Sequence, residues 1–561
     1  MRATTMRRIL AAALAVLVGA GASACVGLPT SGAVHTYEAD LPDQEPLAFS
    51  GFPPKSGTTP GQLLSDFIQA CSAGVTDDFV TARMYLTPDA QKAWKPLGEI
   101  AVYSISEVPK VVVDTASAET RTASVTVPVT VTVGADGSFN RMPEPTPKKR
   151  DFGLTQVAGE WRIDSLPDGY LISDAAFRSG NQQVSLLFPS AEGAVLVEDP
   201  RWYPRRKLST YVVEGLLAGP SDNIAPAVVN PIPEDAKLPG SGVSIVDGEL
   251  RIDLDGTAPA NDVQRRQIAW QFTRTLSSAA VLNSIKISIG GVEIETGSIP
   301  EDSKYRLDDQ IGLDGDAVVD IGDIGDDTRR PIATPGPGVS MPAAAPAGYE
   351  VVAWKDAEGI GVEVPGRNDH LHSEATDPTA PSVDRLGWTW FAPDRSSSDI
   401  RALGPSGASV DLPAGIPSAE GSSIREFRVS PDGARALLLR ATSNGSETWL
   451  AVVRRDANGA PVALENVERV PTLGTGVFSV SWGGNTTIMA ARTTSGSPEL
   501  VTYPLANIIQ TLELPDGAQR ISVGSMPSRV LVIGDDDTVW ERSGSTWLTI
   551  ESPLVDPAYP G

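Results

Sequence analysis

The C-terminal half of the chain repeats one design of short strands joined by tight turns. Segments that begin at Phe427, Phe478 and Arg520 each contain a strand, a turn with Gly or Asn, an apolar second strand and a further strand. Their starts lie about 40–50 residues apart, which is the spacing of propeller blades. We therefore predict an all-β propeller over residues 301–561, with five or six blades. A closed pair of β-sandwiches is the alternative.

Turn residues and tryptophans give this prediction a physical basis. Residues 430–433 read Ser-Pro-Asp-Gly. This sequence suits a tight turn because proline presets one φ angle and glycine accepts a positive one. Trp388, Trp390 and Trp482 are large apolar side chains, which we expect to pack between neighbouring blades.

Residues 181–300 alternate strands with helices, which is the pattern of an α/β domain. The pattern predicts a strand, a helix and a second strand at 249–254, 261–278 and 284–289. On that helix, we expect a buried stripe with Trp270 at its flank. The stripe consists of Val263, Ile268, Phe272 and Leu276.

Residues 60–180 place helices before strands, which is typical of an α+β domain. Apolar spacing predicts helices at 59–73 and 77–86 and a third that begins after Thr87. The strand over 125–133 alternates Val with Thr or Pro. Because Pro128 cannot donate to a strand ladder, we expect an edge strand or a bulge at this position.

The first 24 residues have the order of a secretory signal peptide. Three arginines precede an apolar run at 9–20, which is shorter than the roughly 20 residues of a membrane-spanning helix. Residues 25–59 are rich in proline and lack apolar periodicity, so we expect a tether that separates a folded body from its point of attachment.

The sequence Ala22-Ser23-Ala24-Cys25 resembles the lipobox of bacterial lipoproteins, although Ala22 stands where that motif has Leu. The resemblance implies cleavage between Ala24 and Cys25. It also implies that Cys25 becomes an S-diacylglyceryl cysteine with an N-palmitoyl group. The alternative is an ordinary secretory signal followed by a chance cysteine.

Charge and cysteine content limit the function further. The net charge of −25 argues against nucleic acid and against broad adhesion to anionic lipid. The chain has two cysteines. If Cys25 is lipidated, Cys71 has no partner for an intramolecular disulfide. Cys71 lies on the apolar stripe of the first helix, so we expect a buried structural thiol.

Few residue patterns indicate catalysis or metal binding. No nucleophile elbow, Ser-x-x-Lys or His-Glu-x-x-His motif is present. His370 and His372 could face one metal, but the pattern specifies no third ligand. A run of aspartates could hold Ca²⁺, although EF-hand spacing is absent and a solvated blade edge is the favoured interpretation. The run contains Asp308, Asp309, Asp314, Asp316, Asp320, Asp323, Asp326 and Asp327. We predict no catalytic residue, metal or cofactor.

Several strings resemble known families. The late strand "GEWRI" and the helix-then-sheet order resemble the NTF2-like fold. The strings "LLAGP", "LRIDLDG", "QIAWQFTRTL" and "IKISIGG" resemble, in that order, the GerM-type domain of spore-germination and cell-envelope proteins. With "CVGLPTSG", "PSVDRLGWTWF" and "VSPDG", the whole chain resembles the LpqB family of actinobacterial lipoproteins.

The family resemblance implies a function that composition and spacing do not show. It implies a lipoprotein on the extracytoplasmic face of the cell membrane, accessory to the MtrA–MtrB two-component system. Its implied partner is the extracellular domain of an MtrB-like sensor histidine kinase, with effects on cell-wall metabolism and division. Two alternatives stay open: a peptidoglycan-acting hydrolase, and a solute- or glycan-binding receptor that uses the NTF2-like cone or the central funnel of the propeller.

Overall fold

The computed structural model describes residues 51–114, 120–240, 242–246, 249–279, 284–297, 299–301, 305–321, 329–346, 351–396, 398–550 and 554–561. The predicted signal peptide, Ala24, Cys25 and most of the predicted tether lie outside these residues. In the part of the chain described, no helix is long and apolar enough to cross a membrane.

The N-terminal domain packs short helices against a curved sheet. Its helices are α1 (Pro60–Ser72), α2 (Gly74–Asp77), α3 (Val80–Arg83), α4 (Pro88–Ala93) and, after the strands, α5 (Asp174–Gly180). Its strands are β1 (Glu99–Tyr103), β2 (Lys110–Val113), β3 (Thr120–Gly134), β4 (Phe139–Val157), β5 (Glu160–Ser165) and β6 (Tyr170–Ser173). The sheet order is β5-β4-β3-β1-β6, and β2 also pairs with β3. The predicted α+β layout is confirmed.

A helix cap and a hairpin turn in this domain form as the local sequence predicts. Thr87 caps α4, because its hydroxyl oxygen accepts a hydrogen bond from the Ala90 amide, and Pro88 occupies the first helical position. The β4–β5 hairpin turns at Ala158 and Gly159, whose φ angles are +51° and +82°. Two positive φ angles match the right-handed twist of the flanking strands.

The predicted helix at 77–86 is wrong, because the chain breaks between α2 and α3. Asp78 and Phe79 have φ angles of +55° and +59°. The reversal directs the Phe79 ring over Gly74 and into edge contacts with Trp94 and Tyr170, at centroid distances of 5.7 and 5.1 Å. Burial of an aromatic side chain outweighs the local helical preference.

The prediction of an edge strand at Pro128 is also wrong. β3 is central, with β4 on one side and both β1 and β2 on the other. Pro128 lies between the segments that pair with β2 and β1, and the register shifts next to it, between Val129 and Val131. Proline has no amide hydrogen to donate, and Pro128 lies where the ladder is interrupted. The predicted irregularity at this position is therefore confirmed.

The middle domain is of the α/β class, as predicted. Its elements are β7 (Asn181–Pro189), β8 (Leu196–Pro204), α6 (Leu208–Ala218), β9 (Ser244–Val246), β10 (Glu249–Leu254), α7 (Asp262–Ala279), β11 (Ser284–Ile289) and β12 (Val292–Ile294). β10 and β11 are parallel neighbours in the sheet β12-β11-β10-β9, whereas β7 and β8 form a separate hairpin. On α7, Ile268, Phe272 and Leu276 are buried as predicted, whereas Val263 is exposed and Trp270, expected at the flank of the stripe, is buried. The reason is that β7 packs along α7.

The C-terminal region consists of short antiparallel strands. The first half contains β13 (Ile311–Asp314), β14 (Ala317–Asp320), β15 (Arg330–Ala333), β16 (Ser340–Ala344), β17 (Val352–Lys355), β18 (Gly359–Glu363), β19 (Leu371–Glu374), β20 (Ser382–Val383), β21 (Thr389–Phe391), β22 (Asp399–Leu403) and β23 (Ser409–Pro413). The second half contains β24 (Ser423–Val429), β25 (Arg435–Thr442), β26 (Gly445–Arg455), β27 (Pro461–Arg469), β28 (Val477–Trp482), β29 (Thr487–Thr494), β30 (Ser497–Pro504), β31 (Gln510–Glu513), β32 (Ala518–Val523), β33 (Val530–Gly534), β34 (Val539–Ser543), β35 (Thr546–Ile550) and β36 (Val555–Ala558).

These strands form a propeller, as predicted. The described residues make six four-stranded sheets, and the last strand, β36, completes the first sheet by pairing with β13. Joining the two ends of the region in one blade closes the ring. Trp390 packs between the third and fourth blades and Trp482 between the fourth and fifth. The β-sandwich alternative is therefore wrong.

Candidate functional site

The domains of the described chain contact one another at two junctions. The N-terminal junction joins residues 136–141 of the N-terminal domain, 201–203 of the middle domain and 504–507 of the propeller. The second junction lies between the middle domain and the propeller. It contains a cavity of about 710 Å³, which we call the polar cleft. Its volume falls in the range of small-molecule sites, about 300–1,000 Å³.

The polar cleft is built from regular elements of the middle domain and from loops of the propeller. One wall is a stripe on α7 that includes Trp270 and Arg274, and the outer face of the β7–β8 hairpin contributes Glu198. The amide of Leu187 donates to Thr275 Oγ1 at 3.1 Å, which fixes the edge of β7 against α7. The propeller contributes the loops after β24 and β28, and Tyr305 precedes the first blade.

The loop after β24 is the predicted Ser-Pro-Asp-Gly turn. Asp432 Oδ1 accepts hydrogen bonds from the Ser430 hydroxyl at 2.6 Å and from the Ala434 amide at 3.1 Å. Gly433 has a φ of +73°, which a side chain would disfavour. These bonds hold the Asp432 carboxylate at the cleft. Arg435, just after the turn, donates to the Glu198 carbonyl at 2.6 Å and so ties the propeller to β8.

A buried charge network supports the cleft from inside the propeller. Asp384 accepts hydrogen bonds from the Trp388 amide at 3.0 Å and Trp390 Nε1 at 2.8 Å, and it pairs with Arg455 at 2.5 Å. Both charged side chains are almost fully buried. Breaking such a pair would leave an uncompensated buried charge, which is costly. Because Arg385 is the neighbour of Asp384 in the chain, the pair also holds the loop that carries Arg385.

Arg385 connects this network to the middle domain. Its Nε donates to the Asp432 carbonyl at 2.7 Å, and its guanidinium forms an ion pair with Glu192. Burial raises the pKa of Glu192, but Arg385 and a hydrogen bond from Ser190 outweigh burial and hold the pKa below its ordinary value. Burial raises the pKa of Tyr305, so this phenol stays protonated at neutral pH.

The N-terminal junction is held by hydrogen bonds and by contacts between aromatic rings. Trp202 Nε1 donates to the Ala506 carbonyl at 2.6 Å, and its ring contacts Phe177 at a centroid distance of 5.0 Å. Arg141 donates to the Pro504 carbonyl at 3.0 Å. Beside this junction lies an apolar groove of about 360 Å³.

Arg201 and Tyr203 complete the N-terminal junction. Arg201 pairs with the buried Asp199 at 2.7 Å and donates to the Asp136 carbonyl at 2.8 Å. The Tyr203 hydroxyl donates to the same carbonyl at 2.9 Å. A Cβ at Gly137 would lie 2.8 Å from the Tyr203 ring, so only glycine permits this approach.

The receptor alternative in the sequence analysis names two cavities, the NTF2-like cone and the central funnel of the propeller. Both are small. The cone interior beside Phe67, Cys71 and Tyr170 contains about 10 Å³, the space of one water. The central funnel of the propeller contains about 50 Å³ beside Arg428 and Arg520. Neither volume reaches the range of about 300–1,000 Å³ that is usual for small-molecule sites.

The structure separates the predicted metal-ligand candidates. His370 faces Glu363 at 3.4 Å and His372 faces Asp356 at 3.2 Å, so the two imidazoles have different partners. Within the described ranges, no group of three or more His, Cys, Asp or Glu could hold a metal ion.

The aspartate run is spread along the first blade. Asp308 accepts hydrogen bonds from the Ser525 amide and hydroxyl, at 2.8 and 2.7 Å. Asp314 pairs with Arg329 at 2.8 Å and Asp320 with Arg330 at 2.6 Å. Three members lie outside the described residues: Asp323, Asp326 and Asp327.

Cys71 is a buried structural thiol, as predicted, and lies on α1 in the core of the N-terminal domain. Burial raises the pKa of this thiol. A thiol kept protonated is a poor nucleophile.

Sequence reasoning missed the residues that form the two junctions. The atoms joined at Trp202 and Ala506 are 304 residues apart, and no local pattern signals such a contact. Two strings used for the family resemblance, "PSVDRLGWTWF" and "VSPDG", do supply Asp384, Arg385 and Asp432. Their position beside the polar cleft was not predicted.

Sequence models of three families match the chain. They are "Lipoprotein LpqB, N-terminal domain" at residues 53–178, "Sporulation and spore germination" at 185–295 and "Lipoprotein LpqB beta-propeller domain" at 325–560. Among solved structures, the β-propeller domain of the Trilobed protease from Pyrococcus furiosus matches with a TM-score of 0.26 and 14% identity, over 38% of this chain and 71% of that one. A likeness this weak supports no inference.

Full-length relatives are also similar. Lipoprotein LpqB of Nocardia farcinica is 27% identical over 540 residues, which cover 87% of this chain and 85% of the relative. Lipoprotein LpqB of Mycobacterium tuberculosis is 25% identical over 607 residues, which cover 99% of both chains. Three matched domains in one order, and relatives matched along most of their length, show that this chain belongs to the LpqB family of lipoproteins.

Proposed function

We propose that this protein is a lipid-anchored, extracytoplasmic accessory protein of a two-component sensor kinase of the MtrA–MtrB type, without catalytic activity of its own. The observation that carries the proposal is membership of the LpqB family, which rests on the LpqB models at both ends of the chain and on the full-length relatives. The role proposed for that family is to contact the extracellular domain of an MtrB-like kinase and thereby tune cell-wall metabolism and division.

The anchor in this proposal is Cys25. Small residues precede it, and cleavage after Ala24 would expose it as the first residue of the mature chain. A diacylglyceryl group adds about 0.8 kcal/mol per buried methylene, so two chains hold a protein on a bilayer where one chain is marginal. The net charge of −25 provides no second attachment to anionic lipid.

The junctions support a role in binding. Arg141 couples the N-terminal domain to the propeller, and Trp202 and Arg435 couple the middle domain and the propeller to each other. Domains held together in this way offer a partner one continuous surface. An interaction protein needs such a surface, whereas a hydrolase needs catalytic groups within reach of each other.

Mass spectrometry of the mature N-terminus tests the anchor. We expect a chain that begins at Cys25 and carries S-diacylglyceryl and N-palmitoyl groups. The variant Cys25→Ser should appear in the medium, because it cannot be lipidated. Retention of Cys25→Ser on washed membranes would mean that a protein partner, and not lipid, holds the chain in place.

Site-specific photocrosslinking in intact envelopes tests the partner. Val108 is 83% exposed in the loop before β2, and Val555 is 64% exposed on the propeller, so a photoreactive residue at either position disturbs no core. We expect a sensor kinase among the crosslinked products of at least one position. Buried Val212 serves as the matched control that should give no product. Recovery of no kinase from either exposed position contradicts the proposal.

A further inference from the structure

Four buried polar side-chain atoms, each on a residue that lines the polar cleft, lack a hydrogen-bond partner among the described residues. They are Trp270 Nε1, the Tyr305 hydroxyl, Asp432 Oδ2 and Asn485 Oδ1. The side chains of Trp270 and Asp432 are each only 1% exposed. Buried polar groups in proteins are almost always hydrogen-bonded, and each exception calls for an explanation.

The four atoms come from four separate parts of the chain. Trp270 lies on α7, Tyr305 precedes the first blade, Asp432 lies in the loop after β24 and Asn485 in the loop after β28. All four line the same cavity of about 710 Å³. Buried polar atoms without a partner also occur elsewhere in the described chain, but here four of them belong to residues that line one cavity. Convergence of polar groups on one cleft is characteristic of a ligand site.

Charged side chains of both signs line the cleft: Glu198, Arg274 and Asp432. Asp432 Oδ2 faces Arg435 Nη1 at 3.6 Å, an ion-pair distance that is too long for a hydrogen bond. Glu198 accepts hydrogen bonds from the Ser185 hydroxyl and from Asn485 Nδ2, both at 3.0 Å. A charged ligand would meet opposing charges of both signs, so charge complementarity favours a neutral one.

The unpartnered atoms specify the polar groups of that ligand. Trp270 Nε1 only donates, Asp432 Oδ2 and Asn485 Oδ1 only accept, and the Tyr305 hydroxyl does both. A ligand hydroxyl can donate and accept, so a hydroxyl-rich molecule satisfies all four. An apolar ligand would leave them unpaired, which is unfavourable for buried polar groups.

We propose that the polar cleft binds a neutral, hydroxyl-rich ligand of the saccharide class. This inference goes beyond the accessory role, since it stands on the geometry of the cleft and not on the kinase partner. Because the site is formed by two domains, ligand binding also strengthens the contact between the middle domain and the propeller.

Isothermal titration calorimetry on the full mature chain, in a detergent without a sugar headgroup, tests the proposal. The probes are cellobiose, chitobiose, maltose and trehalose. We expect at least one to bind with a dissociation constant of about 1 mM or lower, corresponding to about −4 kcal/mol. Trp270→Phe removes the unpartnered indole donor and should weaken binding at least about tenfold, and Tyr305→Phe should also weaken it.

Trp202→Phe is the matched control, because it removes an indole donor at the N-terminal junction, away from the cleft. It should leave saccharide affinity unchanged. A melting curve for each variant shows whether it folds, and Tyr305→Phe keeps the test decisive if Trp270→Phe does not. No binding by any of the four probes overturns the proposal, as does binding that is unchanged in both cleft variants.

Discussion

The two junctions of this protein use similar residues in opposite ways. At the N-terminal junction, the indole of Trp202 donates to the Ala506 carbonyl at 2.6 Å. At the polar cleft, the indole of Trp270 is also buried, at 1% exposure against 8% for Trp202, but has no acceptor within the described chain. A paired buried donor stabilises an interface, whereas an unpaired one lowers stability until something binds it. The first junction is therefore a permanent contact and the second a site for a ligand.

The largest expected effect is at the N-terminal junction. Arg201→Met leaves the buried carboxylate of Asp199 without its cation, which should lower the free energy of unfolding by about 3–5 kcal/mol. Urea denaturation followed by circular dichroism measures this loss in the first unfolding transition. The double variant Asp199→Asn with Arg201→Met should recover part of it, because no unpaired charge remains.

Arg205→Met is the control for that experiment, since Arg205 is exposed and contacts Gln182 at 3.1 Å. Its effect should stay within about 0.5 kcal/mol. Equal destabilisation by Arg201→Met and Arg205→Met would contradict the account of the N-terminal junction.

The next effect compares the two tryptophans directly. Trp202→Phe and Trp270→Phe remove the same number of buried atoms, so both carry a similar penalty for lost packing. Only Trp202→Phe also leaves a carbonyl without its donor, at about 1–3 kcal/mol. Urea unfolding without saccharide should therefore show Trp202→Phe to be the less stable variant. The reverse order would mean that Trp270 makes a polar contact important for the fold.

The smallest of the three effects depends on pH. The pKa of Glu192 in the folded protein lies below its ordinary value of 4.5. The ion pair with Arg385 therefore contributes stability above about pH 4.5, and this contribution is lost as the pH falls through the lower, folded value. Melting temperatures between pH 6 and pH 3 should fall less steeply for Glu192→Gln than for the parent protein. Glu420→Gln, at an exposed position, should follow the parent; equal slopes for Glu192→Gln and the parent would contradict the assignment.

Local signals in the sequence predicted much of the fold. The blade repeats, the cap at Thr87 and the strands at Glu249–Leu254 and Ser284–Ile289 depend on neighbouring residues and are confirmed. The helix at 77–86 failed because Phe79 turns into the core to meet Trp94 and Tyr170, which are distant in sequence. A sequence shows which local structure each segment prefers. It does not show where tertiary packing overrides that preference.

The candidate site was less predictable for the same reason. Asp432 and Gly433 were recognised as turn residues, and the structure confirms the turn. That the turn faces Trp270, 162 positions away by their residue numbers, depends on how two domains dock. The cavities at the cone and the funnel are small, whereas the larger cleft forms between two domains that sequence patterns describe separately.

Hydrogen–deuterium exchange on the intact protein, with and without a saturating disaccharide, tests the contrast between the junctions most directly. Amides at 183–187 and 430–435, which border the polar cleft, should exchange more slowly with ligand. Amides at 136–141 and 504–507, at the N-terminal junction, should exchange at the same rate in both conditions. If none of the disaccharides slows exchange at the cleft, the central claim that this junction is a binding site is contradicted.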